Sequence, residues 1–112
     1  MDAIMEKAPA AQLELNGKTY TINHMGTATY LRYKKACEAV SLEEDAIDAP
    51  TYTAIINALA IAFGEQFTPE ELAESDTDVA DVIVAYMAVD LNLAQRIEQK
   101  IDAMTANFKT GS

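Results

Sequence analysis

The chain has 112 residues, half of them hydrophobic, and a formal charge of −10. That length holds one domain rather than two, and the acid excess works against binding nucleic-acid phosphates or anionic membrane surfaces. A single cysteine, Cys37, excludes an intramolecular disulfide and suits a reducing compartment.

Two features of the composition bear on function. Twenty residues are alanine, so the hydrophobic fraction favours helix more than it supplies buried area. Between Lys35 and Arg96 there is no Lys or Arg, while thirteen Asp and Glu fall in that interval. The expectation is an acidic, mainly α protein whose core is modest and which a partner helps to hold.

Residues 1–11 read as a flexible lead-in. MDAIMEKAPAAQ carries neither a basic start nor an apolar run, so no signal peptide is expected. Leu13 to Ile22, LELNGKTYTI, alternates around Asn16-Gly17, a pair suited to the two positive φ angles of a type I′ turn. This predicts a hairpin whose apolar face rests on helices, because an isolated hairpin is marginal in water.

A first helix is expected from about Thr27 to Val40, with Tyr30, Tyr33, Cys37 and Val40 on one stripe. Ser41 and Glu44 have the spacing of a capping box for a short turn that ends before Pro50. A second helix carries Tyr52, Ile55, Ile56, Leu59 and Phe63 in one row and ends at Gly64, where a C-cap glycine belongs. Ile61 lies off that row, among alanines, which hints at a second contact face. Thr68-Pro69-Glu70-Glu71 combines an N-cap, a first-turn proline and a capping-box glutamate. The last helix should run from about Asp78 to Ala106, before a flexible tail at 109–112. These elements amount to a mainly α fold: a small helical bundle with an N-terminal β-hairpin, a single domain over 12–108.

The chemistry-bearing residues are sparse. Ser75 to Asp81, SDTDVAD, looks like the start of a calcium loop but lacks the glycine and the closing glutamate that such a loop needs. Capping of a helix by acidic residues accounts for the same letters. His24 is the only histidine, and one His and one Cys on different elements make neither a zinc site nor a nucleophile pair. There is no glycine-rich phosphate loop. The expectation is no enzyme, no cofactor and no metal.

The candidate functional segment is Val79 to Ala94, VADVIVAYMAVDLNLA, with thirteen apolar residues of sixteen. As a helix it spans only ~24 Å and contains Asp81 and Asp90, too short and too charged to cross a bilayer. Val82, Tyr86, Val89 and Leu93 form one stripe; Ile83, Met87, Leu91 and Ala94 form another. Either the other elements wrap the helix completely, or one stripe stays open as a protein-contact surface. On the second alternative the contact residues are Val82, Ile83, Tyr86, Met87, Val89 and Leu93, some of them shared with the core. Asp90 either faces water at the rim or pairs with Arg32, Lys34 or Lys35.

Taken together, ELNGKTYTI, then TYLRYKKACE, then FGEQFTPEELAES before a long apolar helix, the chain resembles the small tail assembly chaperones of long-tailed bacteriophages and prophages. The resemblance covers roughly Leu13 to Phe108 and is sharpest from Gly64 to Leu72. It implies a protein that binds and solubilises the tape measure protein in the host cytoplasm. Tail-tube subunits would be recruited later, in some phages through a frameshifted longer form, and the chaperone would be absent from the finished virion. It also implies self-association, and partners that are neither nucleic acid nor membrane. The alternative from a different class is an acidic DNA mimic that occupies a DNA-binding protein through Glu70, Glu71, Glu74 and Asp78. A third is a structural subunit of the tail.

Overall fold

The structure, a computed structural model, describes residues 11–41 and 47–111, with side chains described as far as Ala106. It is mainly α with an N-terminal hairpin: β1 (Gln12–Leu15), β2 (Lys18–Thr21), α1 (Thr27–Cys37), α2 (Ala49–Ala62), α3 (Pro69–Ala73) and α4 (Val79–Gly111). Of the expected flexible lead-in at 1–11, residues 1–10 lie outside those described, and Ala11 instead is fully buried and hydrogen-bonded to Ile22; the expected capping box at Ser41 and Glu44 falls on or against residues outside those described.

The hairpin forms as its turn chemistry dictates. Asn16 and Gly17 both take positive φ, 54° and 84°, and Leu13 pairs with Tyr20 across the strands. A further bond from Ile22 N–H to the Ala11 carbonyl at 2.9 Å continues the ladder. Period-two alternation then puts Leu13 and Leu15 into the core, while Gln12 and Glu14 face out. The Tyr20 ring meets Phe67 at 5.2 Å and Phe63 meets Phe67 at 5.6 Å, so an aromatic row closes the hairpin onto the end of α2.

α1 ends three residues earlier than the stripe suggests. Its last amides, Glu38 to Val40, bond three residues back, a tightened final turn beside Lys34 and Lys35, whose charges suit a helix C-terminus. Of the stripe, Tyr33 is fully buried; Tyr30, Cys37 and Val40 are half-buried.

α2 is the central element. Pro50 lies in the first turn of this helix, behind an Asp48 N-cap whose Oδ1 accepts from Thr51 N–H at 2.9 Å. Ile55 and Leu59 are buried as the periodicity requires, and Ala54, Ala58, Ala60 and Ala62 are buried on other sides. Small side chains let α1, α3 and α4 all approach this one helix. Its C-terminus is a Schellman motif: Gly64, φ 73°, donates to Ile61, and Glu65, φ 61°, donates to Ala60, both at 2.9 Å.

α3 carries the complete capping box. Thr68 N–H donates to Glu71 Oε1 at 2.8 Å, and Glu71 N–H donates to Thr68 Oγ1 at 3.0 Å. Asp78 caps α4, its Oδ2 accepting from Ala80 N–H at 3.0 Å, which accounts for the acid in SDTDVAD. Thr77 Oγ1 donates to the Glu14 carbonyl at 3.1 Å and ties the start of α4 to β1. α4 then continues to Gly111, beyond the expected stop near Ala106.

Among the described residues one buried side-chain polar atom has no partner. Tyr33 is fully buried beside Tyr86, ring centroids 6.4 Å apart, and its hydroxyl has no hydrogen-bond partner. Burial, with Cys37 and Asp90 nearby, pushes both phenols far above their usual range, so neither ionises in the native protein.

Two expectations follow. In urea denaturation Leu59→Ala lowers stability by about 2–5 kcal/mol through the cavity it leaves, whereas Tyr33→Phe, which removes an orphaned hydroxyl, leaves stability unchanged or raises it by about 1 kcal/mol. The Thr51 amide holds the Asp48 carboxyl below its usual range. The cap is therefore intact above the unfolded-state pKa and is lost as pH falls through the lower folded value. Asp48→Ala should be less stable than wild type at neutral pH, and that gap should close in acid when the two are melted side by side.

Candidate protein-interaction surface

α4 contains 33 residues, about 50 Å of helix, and sets the 55 Å long axis of a molecule only 30 × 29 Å across. Its first half lies on α2 and β1. One face of that half enters the core: Val82 and Val89 are 1% and 2% exposed, with Ala85, Tyr86 and Ala88 beside them. The opposite face is also apolar but stands in water: Val84, Met87 and Leu91 are each more than half exposed. Beyond Arg96 the described side chains turn to solvent. Every residue from Ile97 to Ala106 is exposed, including Ile97, Ile101 and Met104.

The six residues expected to contact a partner therefore divide. Val82, Tyr86 and Val89 line the chain's own core, Ile83 and Leu93 are half-buried at its margin, and Met87 is exposed. The exposed large apolar residues are instead Val84, Met87 and Leu91 and, turned partly round the helix, Ile97, Ile101 and Met104. Only the packing tells which of two apolar stripes stays open. The arrangement with α4 wrapped on all sides does not occur, because α2 occupies the centre.

Asp90 is exposed, and among the described residues no ion pair joins it to Arg32, Lys34 or Lys35; the salt bridge in that region is Lys35–Glu38 at 3.9 Å, on the surface. Arg96 donates from Nε to Asn92 Oδ1 at 2.9 Å along α4. His24 is exposed in the connection between β2 and α1, and Cys37 is half-buried on α1. Among the described residues no group of three or more His, Cys, Asp or Glu is placed to hold a metal ion. A shallow concavity of about 370 Å³ at the hairpin tip is lined by Glu14, Asp76, Asp78 and Asp81. A second, of about 420 Å³, runs between β1 and α4 and is floored by Leu13, Val84, Ala85 and Ala88. Among the described residues no helix is long and apolar enough to cross a membrane.

What this surface can do chemically is exclude water against another apolar surface. A regular helix face of Met, Ile, Leu and Val accepts a second helix by side-chain interdigitation, and Met adapts to varied partners. The chain matches no protein-family model, no curated protein and no solved structure.

The division of faces is directly measurable. Val82→Ala and Val84→Ala delete the same atoms two residues apart. The first should cost about 1–2 kcal/mol and the second less than about 0.5 kcal/mol in chemical denaturation.

Proposed function

We propose that the chain is a tail assembly chaperone of a long-tailed phage or prophage. In this reading it belongs to a small helical bundle type, binds the tape measure protein and keeps it soluble, and helps to recruit tail-tube subunits. It works in the host cytoplasm and is absent from the mature virion. The observation that carries the reading is the apolar surface on α4 that the chain's own core leaves uncovered, from Val84 and Met87 to Met104. A client made of long amphipathic helices offers a complementary stripe. Many copies along such a client gain by avidity, so each contact can be weak, and a charge of −10 per copy keeps the loaded complex in solution. No cofactor or catalytic step is needed for this work.

The test is capture of the tagged chain from cells expressing its native operon, washed in high salt, with identification of what remains bound. A long helical tail protein that survives the wash, and is lost with Met87→Glu, supports the reading. A DNA-binding protein that salt releases, and that is lost when Glu70, Glu71, Glu74 and Asp78 are neutralised, would replace it with the DNA-mimic alternative. Presence of the chain in purified particles would make it a tail subunit.

A further inference from the structure

Along the exposed side of α4 a subset of residues has heptad spacing. Met87, Ala94 and Ile101 recur every seven residues, and Asp90, Ile97 and Met104 recur every seven, offset by three. All six are exposed, so they form one uninterrupted seam along about 26 Å of helix. Such a seam is the pattern of two helices wound in a left-handed coil. Asp90 is the single charged residue in it.

We propose that the occupant of this seam is a second copy of the chain, with the two α4 helices running antiparallel about a two-fold axis between Gln95 and Arg96. Asp90 decides the direction. In a parallel, in-register pair it would meet its own counterpart, placing two carboxylates face to face in an apolar seam. In the antiparallel pair each position of one heptad row faces one of the other. Met87 lies opposite Met104 of the second copy, Ala94 opposite Ile97, and Asp90 opposite Ile101. Asp90 then sits next to Lys100 of the second copy.

The charges fit this placement. Lys100 has Arg96, Ile97, Ala103 and Met104 three or four residues away, and so no acid of its own helix to pair with; Asp90 has Tyr86, Met87, Leu93 and Ala94, and so no base. Both side chains are exposed in the single chain. The shape fits as well. The half of α4 whose described side chains are all exposed in one copy lies on the half that packs on the body in the other, along a face that flanks the buried one. Met87, Ile97, Ile101 and Met104 are each about half exposed. With Leu91 beside them they offer on the order of 500 Å² per copy, or 1,000 Å² in all, the lower bound for a specific interface. The contact is isologous and closes at two copies.

This inference goes beyond the chaperone reading and does not depend on it. The same face would serve a client helix, which would then displace the second copy, but the dimer is testable with purified chain alone. Sedimentation equilibrium should give about 24 kDa, twice the 12.2 kDa of one chain. Ile97→Glu should weaken dimerisation at least about 30-fold while leaving the helical circular dichroism unchanged. Asp90→Lys and Lys100→Asp should each weaken it about tenfold, and the double exchange should restore it to within about threefold of wild type. A wild-type chain that stays monomeric, or forms a closed species larger than a dimer, overturns the proposal. So does a dimer indifferent to Ile97→Glu, and a double exchange that fails to rescue the single ones overturns the antiparallel direction. A monomeric wild type that still captures a tail protein would reject the dimer and leave the chaperone reading standing.

Discussion

The packing around α2 sets the rest of the structure. A helix buried on several sides needs small residues where its neighbours approach, and α2 supplies them with Ala54, Ala58, Ala60 and Ala62, keeping Ile55, Ile56 and Leu59 for the spaces between. Three helices converge on it, and the hairpin closes its C-terminal end through Tyr20, Phe63 and Phe67. In a chain of this size that arrangement consumes the available core. α4 runs on past that core, and its described side chains from Ile97 to Ala106 are all exposed.

The consequence for α4 is a helix with two apolar faces and one covered. Burying Val82, Ala85, Tyr86 and Val89 fixes its rotation. A helix rotates by about 100° per residue, so fixing those four also fixes Met87 and Leu91 on the outside. The exposed face is thus a geometric by-product of the core, and the residues that populate it are what turn it into a binding surface. A helix free of partners would carry Lys and Glu there. This one carries Val84, Met87 and Leu91 there.

Local polar chemistry holds the elements in place without entering the core. Asp48, Thr68 and Asp78 each cap the helix that follows them, which disposes of acidic residues at positive helix ends. Thr77 anchors the start of α4 to the Glu14 carbonyl. The exception is Tyr33, whose buried hydroxyl is left without a partner where α1 meets α4. Tight aromatic packing at that contact takes precedence over satisfying one polar atom.

Much of the local structure was legible in the sequence because it depends on near neighbours. Asn16-Gly17 specified a turn with two positive φ angles, Thr68 and Glu71 specified a reciprocal cap, and Gly64 specified a left-handed helix end. Pro50 was read only as the limit of the preceding turn; the structure adds that it lies in the first turn of α2, behind the Asp48 cap. The end of α4 was set too early, since its last turns have no strong stop. The candidate surface was legible only in outline. Periodicity showed that Val79 to Ala94 had more apolar faces than one core requires, but it could not say which face goes in. Val82, Tyr86 and Val89 went in because α2 and β1 present their side chains to that face, and contacts between segments distant in sequence leave no mark on local spacing. The sequence by itself determined the elements, the Thr68–Glu71 and Gly64 caps and the excess of apolar helix. The tertiary structure alone decided that α2 is the centre, that Met87 faces water, and that the described side chains of α4 beyond Arg96 turn to solvent.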